Sequence, residues 1–266
     1  SGNVLPGPGE GGGIFNAGGS VTLNSNTTVI ANSSAAAGGG IFNAAGATLQ
    51  LLGSTVTNNS NFGSGGGITN AGNLTLNNSV ISNNSAGDGA GGGISNLAAG
   101  TATLINNSQV YSNTAYITGG GIANDGTLSL TSSTLSNNVS QGGSPGFGGA
   151  GLSNNGTVIA NNSIISRNIA QDGNGGGIAN FGNLTLAGTT VDSNQAQFSL
   201  LGGAGGGIYN TSASTLQFSG NRISNNAASG PGGGIWNAGT IVLNGDTIAN
   251  NLSSGANGLG GATDRK

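Results

Sequence analysis

Apolar and polar positions along this chain follow one rule that repeats nine times. Each repeat opens on three small residues, nearly always Gly-Gly-Gly. An aliphatic residue follows, then any residue, then Asn. The aliphatic members are Ile14, Ile41, Ile68, Ile94, Ile122, Leu152, Ile178, Ile208 and Ile235, spaced 27, 27, 26, 28, 30, 26, 30 and 27 residues apart. Two positions on stand Asn16, Asn43, Asn70, Asn96, Asn124, Asn154, Asn180, Asn210 and Asn237. A fixed period over a whole chain marks one small unit stacked on itself.

Within a repeat the pattern is that of short strands. Leu74-Thr75-Leu76 alternates apolar, polar, apolar, as a strand with one buried face does. Val80 to Asn84 reads as a further strand ending on Asn, and Ala71-Gly72-Asn73 and Asn77-Asn78-Ser79 read as turns. The same aliphatic-x-x-Asn phrase recurs from Val29–Asn32 to Ile248–Asn251. The expectation is all-β: a right-handed, single-stranded parallel β-helix of nine coils, about 27 residues and three short strands each. Its hand follows from the general preference of parallel crossovers. Residues 1–266 form one domain, with a lead-in at 1–10, coils over 11–257 and the start of a tenth coil at 258–266.

Asn at the turns tolerates left-handed backbone and bonds locally, and stacked Asn side chains can bond coil to coil. Buried aliphatic side chains contribute about 1.5–3 kcal/mol each, whereas ordering a residue costs about 1–2 kcal/mol, so a lone coil does not fold and stacking must supply the difference.

The repeated Gly-Gly-[Gly/Ala]-[Ile/Leu]-x-Asn and aliphatic-x-x-Asn phrases, covering residues 11–262, resemble those of the polymorphic outer-membrane protein family of chlamydiae and related repeat-rich bacterial surface proteins. The chain departs from that family in carrying Val, Ile or Leu where the family prefers Phe. It also lacks the C-terminal membrane barrel of an autotransporter. The resemblance implies a right-handed β-helix and a bacterial cell-surface or extracellular location, and it carries over no catalytic residues.

Composition narrows the function. Only 4% of residues are charged, and there is no His, Cys or Met. Absent Cys excludes disulfides and thiolate metal sites; absent Met fits a processed chain or a fragment. Four basic residues cannot neutralise a run of phosphates, so no nucleic-acid partner is expected. No apolar run approaches the roughly 18 residues of a membrane span. The acids are scattered one to a coil, whereas carbohydrate chemistry on β-helices needs clustered carboxylates. We expect no enzyme, no cofactor and no metal. An ice-binding face would need a flat Thr array, but the middle residues of the second strand run Thr22, Gln50, Thr75, Thr103, Ser129, Ile159, Thr185, Gln217 and Val242.

The ends carry the main functional expectation. Between the aliphatic residue and Asn of the opening phrase stand Phe15 and Phe42 at one end, Tyr209 and Trp236 at the other, and small residues between. Solenoids normally close with a cap, and none is legible here. Head-to-tail stacking would continue Tyr209-Trp236 into Phe15-Phe42 as one aromatic ladder, with Glu10 facing Arg265 and Lys266 and with Leu259 at the junction. The expected partner is therefore the protein itself, in a fibre or biofilm matrix. A lateral contact is expected at Phe198, Leu200 and Leu201. The alternative expectation is a surface adhesin or autotransporter-like passenger fragment that takes a receptor or a host or matrix glycan.

Overall fold

The computed structural model describes residues 9–142, 148–197 and 203–255. It is a β-solenoid of nine coils. The first coil contributes strands Ile14–Asn16, Ser20–Leu23, Thr28–Ile30 and Ser33–Ser34, and every later coil repeats the order. Strands of equal rank pair in parallel, coil on coil, giving four nine-stranded sheets, called here first to fourth by their order in the coil. Register is held throughout: Ile14 lies beside Ile41, Leu49 beside Leu74, Val56 beside Ile81.

The core is built of columns. Ile41, Ile68, Ile94 and their successors point inward from the first sheet, two mainly Leu columns from the second, and Val, Ile or Leu from the third. The second sheet alternates buried and open residues as the Leu-Thr-Leu pattern predicts.

Four strands per coil, where three are expected, is a correction. The fourth is two residues long, too short to show alternation. Its inward member is small (Ser34, Ala86, Ala115, Ala170, Ala228) because it faces the glycine run. A Cβ on Gly92, the middle glycine of its run, would lie 2.3 Å from the carbonyl oxygen of Thr114, which opens a fourth strand. The third strand also ends earlier than expected. Val80–Ser82 is extended, Asn83 turns the chain at φ 55°, and Asn84 enters the interior.

Two kinds of Asn are thereby separated. Asn78, Asn83 and Asn137 hold left-handed turns. A second kind, buried except for Asn32 and Asn237 in the end coils, forms ladders along the axis. From Asn16 to Asn237 each Nδ2 donates to the Oδ1 of the next coil's Asn at 2.6–2.9 Å. From Asn32 to Asn251 the same bond runs at 2.9–3.1 Å. In the second ladder each backbone N–H also donates to that Oδ1, for example Asn113 to Asn138 at 3.0 Å. Buried amides must be satisfied, and these ladders satisfy them with one another and with nearby carbonyls.

Candidate functional site

The first glycine of every run has φ between 62° and 76°, a left-handed turn that delivers the chain into the first strand. The third glycine lies against the Asn32–Asn251 ladder; a Cβ on Gly121 would stand 2.8 Å from Asn138 Nδ2. The aliphatic-x-Asn phrase is thus fixed in place in every coil, and at the two end coils it has a neighbour on one side only among the described residues.

At the first-coil face, Ile14 and Val21 are half-buried. With Gly13, Leu23, Val29 and Asn32 among its walls, the coil's interior opens as a hollow of about 310 Å³. At the ninth-coil face, Leu243 is 48% and Ile248 37% exposed, although their neighbours one coil earlier, Phe218 and Ile223, are 3% and 0%. Among the described residues both ends present unfinished core.

In the opening phrase and the Asn ladders the polar groups at the two faces differ in sense. In the first eight coils the N–H of the opening aliphatic residue donates to a glycine carbonyl of the next coil, as Ile208 does to Gly234 at 2.9 Å. Ile235 has no such partner among the described residues. Asn237 Nδ2 donates only within its own coil, to Gly239 O at 3.0 Å. The Asn251 N–H, whose counterparts all donate onward, also has no partner there. At the opposite face the Oδ1 atoms of Asn16 and Asn32 accept from no described residue. Among the described residues the opening phrase and the two Asn ladders thus leave donors at the ninth coil and acceptors at the first, while the other strands leave the reverse, since Thr48 N–H donates back to Gly19 O and Thr247 N–H to Asn221 O.

The expected aromatic residues are found in pairs. Phe15 stacks on Phe42 at 5.4 Å between ring centroids with planes 10° apart, and Phe15 remains 51% exposed. Tyr209 stacks on Trp236 at 4.3 Å and 8°, with Phe181 tilted against Tyr209. The intervening residues of that column, Thr69, Ser95, Ala123, Ser153 and Ala179, are buried. Their sequence position suggests an open surface, but the middle of the first sheet is covered; Thr69 Oγ1 donates to Ser64 O in the preceding loop. Glu10 is exposed at the first coil, bridged to Ala37. Leu259, Arg265 and Lys266, and Phe198, Leu200 and Leu201 of the expected lateral contact, lie outside the described residues. Loop aromatics Phe62 and Tyr116 are exposed.

The acids stay dispersed. Asp125 accepts from Asn155, and Asp246 accepts from Asn221 and from the Asn244 backbone. Burial opposes ionisation of Asp192, but hydrogen bonds from Ser224, Ser193 and Asn225 and the charge of Arg222 outweigh it and hold its carboxyl below the ordinary range. Among the described residues no three His, Cys, Asp or Glu side chains come together as metal ligands would. None of these residues forms a helix long and apolar enough to cross a membrane. The Thr column of the second sheet is interrupted by Gln50, Ile159, Gln217 and Val242, as the sequence implies.

What sequence reasoning missed at the ends is the polar half of each face: Gly13, Asn16, Asn32, Ile235, Asn237 and Asn251. The Asn columns were visible, but their donor-to-acceptor direction needs side-chain geometry. Comparison of the chain with protein-family models, curated proteins and solved structures finds no match.

Proposed function

We propose that this protein is a non-enzymatic structural subunit that stacks head to tail on copies of itself into an extracellular fibre. The observation that carries this reading is the complementarity of the two faces: each unused donor or acceptor on one face has its coil-to-coil counterpart on the other. If a second copy supplies the tenth coil, Ile235 N–H meets Gly13 O, Asn237 Nδ2 meets Asn16 Oδ1, and Asn251 N–H and Nδ2 meet Asn32 Oδ1. Each junction bond then copies one already made between every pair of coils. Trp236 stacks on Phe15, which adds about 0.5–1.5 kcal/mol beyond the area covered. Leu243 and Ile248 enter the hollow of the first coil. Such a contact is heterologous and does not close, so it generates a filament. At about 4.8 Å each, the nine described coils span about 43 Å along the axis.

The repeat's likeness to the polymorphic outer-membrane proteins supports a bacterial surface setting and a right-handed winding, and a chain without thiols or many charges suits a matrix role. Negative-stain microscopy and sedimentation of concentrated protein test the proposal. Fibres are expected, weakened by Phe15→Ala combined with Trp236→Ala. Leu243→Lys, which places an ammonium in the junction, should abolish them while the monomer keeps its far-UV circular dichroism. A wild-type protein that stays monomeric at high concentration overturns the reading.

A further inference from the structure

The outward side of the third sheet carries a groove of about 470 Å³ over coils five to eight. Two columns make its floor. One runs Thr134, Ile164, Thr190, Arg222, and the other Ser136, Ser166, Asp192. Arg167 stands at the rim, one residue beyond Ser166.

Three features set this surface apart. Arg167 and Arg222 are the only basic residues described, and both line it. Neither guanidinium makes a salt bridge or a side-chain hydrogen bond among the described residues, although Arg222 acts through space on Asp192. Second, Arg167 sits at φ 55°, in a column of left-handed turn residues otherwise filled by Ala31, Asn58, Asn83, Ser112, Asn137, Ser193, Asn225 and Asn250. Every coil holds this turn, and Arg167 is the one long, charged side chain in a column of small or amide residues. Third, the hydroxyls of Thr134, Ser136, Ser166 and Thr190 have no hydrogen-bond partner among the described residues, and Ile164 between them is 46% exposed. Asp192 is fixed by Ser193, Ser224 and Asn225 and offers acceptor oxygens beside these donors.

We propose that this groove binds a segment of a linear acidic polysaccharide, its carboxylate-bearing sugars running along the solenoid axis. Guanidinium forks match carboxylates bidentately. Arg167 and Arg222 lie two coils apart, about 10 Å along the axis, so they engage carboxylates on separate sugars. The free hydroxyls and Asp192 take the sugar hydroxyls, and Ile164 lies under an apolar ring face. The site lies on the flank of the stack and does not depend on end-to-end assembly.

Two substitutions test the site with little risk to folding, because each installs the residue other coils use. These are Arg167→Asn, as at Asn137, and Arg222→Thr, as at Thr190. Binding of oligogalacturonate is measured by calorimetry at low and moderate salt, with maltooligosaccharide of equal length and dextran sulfate as comparisons, and thermal unfolding is followed alongside. The wild type should bind oligogalacturonate at least tenfold more tightly than the neutral oligosaccharide. Each substitution should weaken that binding about tenfold, the pair should abolish it, and the melting temperature should hold or rise. Absence of binding in the wild type, equal binding of the neutral sugar, or affinity unchanged in the double variant overturns the proposal. Preference for dextran sulfate over oligogalacturonate overturns the carboxylate assignment.

Discussion

Replacing Asn138 by Ala tests whether the buried ladders hold the coils together. Asn138 is fully buried in the fifth coil. Its Oδ1 accepts from Asn113 N at 3.0 Å and Asn113 Nδ2 at 3.1 Å, and its Nδ2 donates to Val110 O and Asn168 Oδ1, both at 3.0 Å. Removing the side chain deletes all four bonds at a net loss of about 1 kcal/mol each, and leaves the buried Asn113 N–H without its partner. The expected loss is about 4 kcal/mol, at the upper end for a single substitution. Asn16→Ala removes bonds to Asn43 Oδ1, Gly19 O and Thr48 O at an end rung. Water reaches that rung more readily, so about half that loss is expected. Urea titration by circular dichroism supplies the difference between the two variants. Because each coil contacts only its neighbours, amide exchange in Asn138→Ala should accelerate in coils four to six before the rest. A loss under about 1 kcal/mol for Asn138→Ala, or exchange that rises evenly along the solenoid, would refute the ladder as the coupling between coils.

Further tests probe the other parts of the coil. Gly175 has φ 67°, and a Cβ there would stand 2.2 Å from Ile178 O, so Gly175→Ala should cost about 2–4 kcal/mol. Ala150 holds the middle place of its run, fully buried, and Ala150→Gly should change stability by less than about 1 kcal/mol; equal effects in the two melts would show the turn geometry to be misread. Leu104→Ala in the central core should cost about 2–5 kcal/mol in urea titration, and a smaller loss would mean the coils can collapse around a void. The Asp192 carboxyl is held below its ordinary pKa, so its contribution is present at neutral pH and fades as pH falls through the folded-state value. Compared with Asp192→Ala, the wild type should be more stable at pH 7 by under about 1 kcal/mol, since solvent screens the site. That advantage should vanish on acidification, and one that grows toward low pH would refute the assignment.

Much of this architecture was legible because period and alternation are local signals. Glycine at the first and third place of every run, the aliphatic residue that follows, and the Asn two positions on recur along the chain. Leu74-x-Leu76 and its equivalents declare their buried face without reference to any other coil. Coil number, inward columns and parallel stacking therefore follow from sequence alone. The aromatic pairs at the two ends could also be read there, since Phe15 and Phe42, or Tyr209 and Trp236, lie one period apart.

The tertiary structure decided what depends on neighbours across coils. Ser85–Ala86 becomes a strand only because Thr114–Ala115 and Ser60–Asn61 lie beside it, and two residues hold no period of their own. Asn83 and Asn84 are the same residue type in sequence; the backbone turns one outward at positive φ and locks the other into a ladder. The direction of that ladder, with donors pointing toward the ninth coil, is a property of side-chain geometry. Arg167, Asp192 and Arg222 meet in one groove because stacking converts separations of 25 to 30 residues into a few ångströms. Composition records these residues as scattered charges; strand register along the axis makes them neighbours.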